Sequence, residues 1–170
     1  MKKERSALSV ALIGVLTAVV VVFTLVVRIP TTKGYLNLCD VAICFIAFTF
    51  GPVTALLTAG LGTAIADLVS GYAQWAPISF IVHGLEGLLI ALIVRSNPNS
   101  IMRILAGALV CILTVSLGYF ALSALFISTV AVAAAEIPLN MVQAGVGVVL
   151  GLALSKAIKR AYPPVSSLSW

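Results

Sequence analysis

Six long apolar runs follow one another along the chain, separated by short breaks rich in glycine, proline and polar residues. A transmembrane α-helix needs about 20 mostly apolar residues, and most of these runs approach that length. The second run is short for a complete crossing, so we expect it to be tilted, broken or packed inside the bundle. The pattern predicts an all-α integral membrane protein, a six-transmembrane-helix bundle that forms one domain over residues 1–170. The predicted helices cover residues 6–27, 38–49, 52–69, 78–94, 101–127 and 129–155.

The composition supports lipid as the solvent. Hydrophobic residues make up 62% of the 170 residues, charged residues only 9%, and the mean hydropathy is +1.21. Charged residues alone supply about a quarter of a soluble domain, so a soluble fold of this size could not hide so much apolar surface. The first apolar run follows Lys2, Lys3 and Arg5, as in a signal peptide. It is too long for one, however, and we expect a retained helix.

The basic residues predict the orientation of the bundle. With the N-terminus in the cytoplasm, eight basic residues fall on the cytoplasmic side and only Arg28 and Lys33 fall outside. Cytoplasmic loops carry the excess of Lys and Arg, and an even number of crossings returns the chain to its starting side. We therefore expect both termini in the cytoplasm, and the net charge of +5 reflects topology rather than nucleic-acid binding. The eight residues are Lys2, Lys3, Arg5, Arg95, Arg103, Lys156, Lys159 and Arg160.

The residues with catalytic potential do not form a known catalytic pattern. A single histidine, His83, excludes the His-Glu-x-x-His zinc motif. No serine has a convincing partner base. Cys39, Cys44 and Cys111 have neither zinc spacing nor even parity and are typical of small buried apolar residues. With no Walker loop in the sequence either, we expect neither an enzyme nor a resident cofactor or metal.

The acidic residues after Glu4 all lie in or beside predicted helices: Asp40, Asp67, Glu86 and Glu136. A charged group at the centre of a membrane helix costs about 2.5–3.5 kcal/mol on insertion scales, so such residues are rarely without a role. None of the four has a Lys or Arg partner at helical spacing. They indicate a polar site inside the bundle.

Further polar residues share helix faces with these acids. Residues three or four apart lie on the same side of an α-helix. Two such pairs and one stripe of three occur, the stripe at i, i+4 and i+7 with Pro138 inside it. They are Asn37 with Asp40, His83 with Glu86, and Glu136 with Asn140 and Gln143.

Aromatic residues of the outer loops, Tyr35, Tyr72 and Trp75, are placed to close over this site. Hydrogen-bonding edges together with aromatic faces suit a small, polar, flat ligand. Two other interpretations stay open here. Tyr72 and Trp75 also fit interfacial anchoring in the membrane, and His83 fits ordinary packing.

Four stretches of the chain carry a family resemblance: "GYLNLCDVAI" (34–43), "FGPVTALLTAGLGTAIADLVSGYAQWAP" (50–77), "HGLEGLLIAL" (83–92) and "IPLNMVQAGVGVVLG" (137–151). In this order they resemble the substrate-binding S components of energy-coupling factor (ECF) transporters, most closely the riboflavin-type branch. The resemblance implies a six-helix bundle with cytoplasmic termini that binds a vitamin or a precursor. It also implies docking on a transmembrane T component that carries two ATP-binding-cassette ATPases, so ATP hydrolysis would belong to partner subunits.

The resemblance also assigns roles to individual residues. Asp67 stands at the aspartate of the family's ADL motif, near the vitamin pocket, and Asn140 matches a ligand-contacting asparagine. His83 and Gln143 replace lysines that are common in the riboflavin-type pattern. Their replacement favours a small neutral ring, pyridoxine or hydroxymethylpyrimidine, over riboflavin or an anionic ligand. The predicted substrate-binding set is Tyr35, Asn37, Asp40, Asp67, Tyr72, Trp75, His83, Glu86, Glu136, Asn140 and Gln143.

Ala7 and Ala11 match the alanine pair with which similar proteins contact the T component, although residue pairs of this kind also serve packing within a bundle. The expected location is the plasma membrane of a prokaryote, as a multi-pass protein surrounded by lipid. The alternatives are a stand-alone proton-coupled carrier that uses Glu86 and Glu136, a riboflavin-specific S component, and a scaffold without a small-molecule ligand.

Overall fold

Six α-helices account for most of the chain in a computed structural model that describes residues 2–31 and 33–168, with side chains described from residue 7 onward. A short antiparallel hairpin follows the first helix and pairs Ile29 with Leu36 and Pro30 with Tyr35. The helices are α1 (Lys2–Val26), α2 (Cys39–Phe50), α3 (Pro52–Val69), α4 (Ala76–Val94), α5 (Ile101–Phe126) and α6 (Val130–Ala161). The strands are β1 (Ile29–Pro30) and β2 (Tyr35–Leu36), and a 3-10 helix, Pro163–Leu168, ends the described part of the chain.

Five of the helices are long and apolar enough to cross a membrane within the described residues. The exception is α2, whose 12 residues reach about 18 Å at 1.5 Å per residue, short of a hydrocarbon core about 30 Å thick. Every residue of α2 is buried, because α6, α4, α3 and α1 surround it. An all-α membrane bundle is thus confirmed, with its short second helix packed inside.

Glycines allow α2 to lie directly against α6. A β-carbon at Gly151 would come within 2.6 Å of the β-carbon of Cys44 and 2.7 Å of the carbonyl oxygen of Val41, closer than real side chains approach. Gly147 makes the equivalent close approach to Asp40, one helical turn earlier. This small-residue pair therefore serves packing inside the bundle. The close approach positions Asp40 of α2 beside the polar stripe of α6.

The chain reverses between α2 and α3 at Gly51, whose φ of +93° lies in a region that residues with side chains rarely adopt. Pro52 then occupies the first turn of α3, where its missing N–H costs nothing. At the same end of the bundle the ammonium of Lys159 donates a 2.7 Å hydrogen bond to the carbonyl oxygen of Phe48, so the C-terminal ends of α2 and α6 lie together.

The β-hairpin and the α3–α4 loop (residues 70–75) cover the opposite end of the bundle, which we term the hairpin end. The hairpin lies in the stretch that the sequence pattern predicts only as an outer loop. Thr31 donates a 3.1 Å hydrogen bond to Glu136 of α6, and the indole N–H of Trp75 donates to the carbonyl oxygen of Lys33 at 2.9 Å. These two bonds fasten the hairpin to α6 and to the α3–α4 loop.

Candidate ligand-binding cavity

A cavity with an empty volume of about 580 Å³, its open mouth included, lies at the hairpin end. Small-molecule pockets combine apolar and aromatic walls with a few converging polar groups, and this lining contains both. Residues from the hairpin, α3, α4, α5 and α6 converge on it, although they are far apart in sequence. Its lining is Gly34, Tyr35, Asn37, Asp67, Trp75, Ser79, His83, Tyr119, Ser123, Ala133, Glu136, Asn140 and Gln143.

Most of the predicted substrate-binding residues meet at this cavity. Eight of the 11 line it, and Asp40, Tyr72 and Glu86 do not. The ring of Tyr72 packs beside that of Tyr35 instead, with 5.0 Å between centroids, and the two acids lie behind His83. The lining members of the predicted set are Tyr35, Asn37, Asp67, Trp75, His83, Glu136, Asn140 and Gln143.

Asp67 comes from the last turn of α3 and is only 6% exposed. Its Oδ1 accepts a 2.9 Å hydrogen bond from the hydroxyl of Tyr35. Burial and the neighbouring carboxylate of Asp67 raise the pKa of the Tyr35 hydroxyl, so this phenol stays protonated and acts as a donor. Asp67 Oδ2 has no hydrogen-bond partner among the described residues. One carboxylate oxygen is thus held in place while the other remains unpaired.

A fully buried acid–imidazole network forms one side of the cavity. His83 Nδ1 lies 2.7 Å from Glu86 Oε2 and 3.3 Å from Asp40 Oδ1, and only His83 reaches the cavity itself. The thiol of Cys111 donates to Glu86 Oε1 at 3.1 Å, and that of Cys39 donates to Asp40 Oδ1 at 3.5 Å. One imidazole, two thiols and the side-chain amide of Gln143 are the partners of the two carboxylates. The groups predicted to pair at three-residue spacing on α4 therefore do meet.

The same network contains two sets of potential metal ligands, each with its atoms within 4.8 Å of one another. Hydrogen bonds inside the protein account for their proximity, because most of these thiols and carboxyl groups already serve one another as donors and acceptors. The sets are Cys39 with Asp40 and His83, and Cys44 with Glu86 and Cys111.

Gln143 joins α6 to the start of α2. Its Oε1 accepts from the backbone N–H of Asn37 at 2.8 Å, and its Nε2 donates to Asp40 Oδ2 at 2.8 Å. Asn37 in turn forms an Asx turn just before α2, since its Oδ1 accepts from the backbone N–H of Cys39 at 2.7 Å. The side chain of Asn140, one turn before Gln143, makes no hydrogen bond to the described residues. Gln143 is thus a helix clasp as well as a lining residue, whereas Asn140 is available to a ligand.

Three polar lining side chains were not predicted: Ser79, Tyr119 and Ser123. The hydroxyls of Ser79 and Tyr119 are 2.7 Å apart, and the Tyr119 ring lies 5.8 Å from that of Trp75 and 5.5 Å from that of His83. In the sequence, the feature that could have indicated these residues is the spacing of Tyr119 and Ser123, which lie four residues apart on one face of α5. Hydroxyl residues stand out little in an apolar helix, so hydropathy alone does not reveal them.

Ala7 and Ala11 lie far from the cavity, on an exposed face of α1 that continues through Gly14 and Ala18. A β-carbon added at Gly14 would meet nothing within 4 Å. This stripe of small residues therefore has no packing role within the described chain, unlike the glycine pair of α6.

The fold and the cavity define a multi-pass membrane protein with an internal polar site reached from one end of a helical bundle. The chain belongs to the family described as "ECF-type riboflavin transporter, S component", whose sequence model matches residues 4–160. It is therefore a transporter subunit of the S-component class.

Two relatives match most of this chain. A protein of Pyrococcus woesei, called "Uncharacterized protein in gap 3'region", is 32% identical over 148 residues, which cover 86% of this chain and 98% of the relative. The "Thiamine precursor transporter HmpT" of Lactococcus lactis subsp. cremoris (strain MG1363) is 32% identical over 133 residues, which cover 78% of this chain and 75% of the relative.

Proposed function

We propose that this protein captures a small water-soluble vitamin or vitamin precursor outside the cell and delivers it through a T component driven by two ATPase subunits. The observation that carries the proposal is the convergence of polar and aromatic side chains on one cavity in a chain of the S-component family. In this proposal the protein is the binding subunit and hydrolyses no ATP itself, and it resides in the plasma membrane of a prokaryote.

The proposed ligand is pyridoxine or hydroxymethylpyrimidine. The cavity lining contains acids, amides, hydroxyls and one imidazole, with no Lys or Arg among the described lining residues. His83 and Gln143 stand in the lining where the riboflavin-type pattern commonly has lysine. Each of them already has hydrogen-bond partners inside the protein. The name of the Lactococcus relative, a thiamine precursor transporter, supports the hydroxymethylpyrimidine choice.

The proposed contact with the T component is the small-residue face of α1 that contains Ala7 and Ala11. These residues are exposed, and helices of two proteins can approach closely in lipid where side chains are small. The cavity is at the hairpin end, so a partner on this face would leave the ligand site uncovered.

Native mass spectrometry of the purified protein tests the binding function. We expect a retained small molecule, or a stoichiometric adduct after incubation with one member of a vitamin panel. In the matched variant Asn140→Ala, which removes a lining amide without removing a hydrogen bond inside the chain, we expect weaker retention of that molecule. A protein that binds no vitamin or precursor, and that also fails to join a T component, would favour the scaffold instead.

A further inference from the structure

Asp67 Oδ2 is an unpaired oxygen in a nearly closed part of the cavity wall. Asp67 is 6% exposed, and Tyr35 anchors its other oxygen at 2.9 Å. A buried acceptor without a donor costs about 1–3 kcal/mol, and an ionised one costs more. A donor supplied by the ligand would remove that cost, because Asp67 lines the cavity.

The surrounding charges favour a ligand that also brings positive charge. A second lining acid, Glu136, stands on α6, where the hydroxyl of Thr31 donates to it. Asp40 and Glu86 lie just behind the lining residue His83, which is the nearest basic group to both. Within the described ranges, every Lys and Arg side chain lies outside the lining. A ligand that brings positive charge therefore meets no permanently cationic side chain of the described residues beside Asp67.

From these observations we propose that the cavity recognises an amino-substituted nitrogen heterocycle, whose amino N–H donates to Asp67 Oδ2. In this ligand class the amino group and the ring nitrogen form an amidine, which can carry a delocalised positive charge. A hydrogen bond between such a group and a carboxylate is stronger than one between neutral partners. A ring hydroxyl, or the ring N–H of its keto tautomer, supplies one donor without that positive charge.

The rest of the lining suits the remaining parts of such a molecule. The rings of Tyr119 and Trp75 both line the cavity, tilted by 51° with 5.8 Å between their centroids, and a flat heterocycle can pack beside them. The free amide of Asn140 offers both a donor and an acceptor to a hydroxymethyl or similar substituent. The inference rests on the proposed vitamin-capture function and narrows its ligand class.

Calorimetry with a matched ligand pair tests the inference on the intact purified protein. The pair is hydroxymethylpyrimidine, which carries a ring amino group, and its analogue with a hydroxyl in place of that amine. We expect wild-type protein to bind the amino compound about tenfold or more tightly than the hydroxyl analogue. Equal affinity, or tighter binding of the hydroxyl analogue or of riboflavin, would overturn the inference.

Two variants of similar size test whether the preference for the amino compound arises at Asp67. Asp67→Asn should lower affinity for the amino compound by about 10- to 100-fold and reduce the preference over the hydroxyl analogue. Tyr35→Phe removes only the donor to Oδ1, so the preference should persist even where affinity falls. If Asp67→Asn kept the same preference for the amino compound over its hydroxyl analogue, Oδ2 would not be the acceptor for the ligand's amino group.

A folding defect in one variant leaves the test intact, because the wild-type preference decides the ligand class alone. Thermal unfolding and gel filtration of each variant identify such a defect. Tight binding of a vitamin without a ring amine would refute the inference and leave vitamin capture standing. Failure to bind any vitamin, together with failure to support uptake, would instead refute the proposed function.

Discussion

At the residue scale, the side-chain amides of Asn140 and Gln143 lie on one face of α6 but have different partners. The amide of Gln143 makes two hydrogen bonds inside the protein, one to Asn37 and one to Asp40. The amide of Asn140 lines the cavity and makes no hydrogen bond to the described residues. Sequence spacing placed both on one helix face, but spacing cannot distinguish a helix clasp from a ligand contact. That distinction depends on the tertiary structure, because Gln143 differs from Asn140 only in lying next to the start of α2.

Truncation of these two amides should therefore have opposite effects. In our account Asn140 contacts the ligand, so Asn140→Ala should weaken binding about 5- to 100-fold, equivalent to about 1–3 kcal/mol, and leave thermal stability close to wild type. Gln143→Ala leaves the N–H of Asn37 and a carboxylate oxygen of Asp40 without their partner and should lower the unfolding temperature measurably. Calorimetry and thermal unfolding in detergent check the pair. Equal destabilisation by both changes would contradict this division.

At the element scale, the long helices could be predicted because lipid requires long apolar runs, but the shorter features could not. Hydropathy indicated that the run at 38–49 was too short to cross alone; only packing shows that all of Cys39–Phe50 is buried. The hairpin of Ile29–Leu36 has two residues per strand, too few for a period-two pattern to register. Helix α6 continues to Ala161, past the end of its apolar run, because a helix can extend beyond the hydrocarbon with Lys156, Lys159 and Arg160 on its last turns.

The glycine contact between α2 and α6 predicts a sharp difference between two glycines of one helix. Gly151→Ala would press a β-carbon against Cys44 and a backbone carbonyl, so the helices must separate and the protein should lose stability. Gly145→Ala meets nothing within 4 Å and should be neutral, or stabilising by up to about 1 kcal/mol from helix propensity. Thermal unfolding of both variants checks this. Equal effects would mean that α2 and α6 do not pack this closely.

The exposed face of α1 predicts a binding surface that is separate from the cavity. Replacing Ala7 and Ala11 with Trp should abolish co-purification with the T component, since bulky rings prevent close helix approach, and should leave ligand affinity nearly unchanged. Ala106→Trp is a matched control, because Ala106 is an exposed alanine near the start of α5. Retention of the partner by the double variant, or equal loss in the control, would argue against docking through this face.

At the scale of the whole molecule, the bundle separates its two proposed tasks. The acids, amides and aromatic rings gather at the hairpin end, while the small-residue face of α1 remains free along the side of the bundle. The charge pattern predicts that the hairpin end is extracellular and that both termini are cytoplasmic. A protein arranged in this way can bind its ligand alone, and in our account it needs partner subunits and ATP to move that ligand across the membrane.

Uptake into proteoliposomes tests that dependence most directly. The protein is reconstituted alone, or together with its T component and two ATPases, with ATP at the ATPase side and labelled hydroxymethylpyrimidine or pyridoxine outside. We predict accumulation only when the partners and ATP are both present, with no response to a proton gradient. Concentrative uptake by the protein alone, driven by an ion gradient, would contradict the account and establish the proton-coupled carrier.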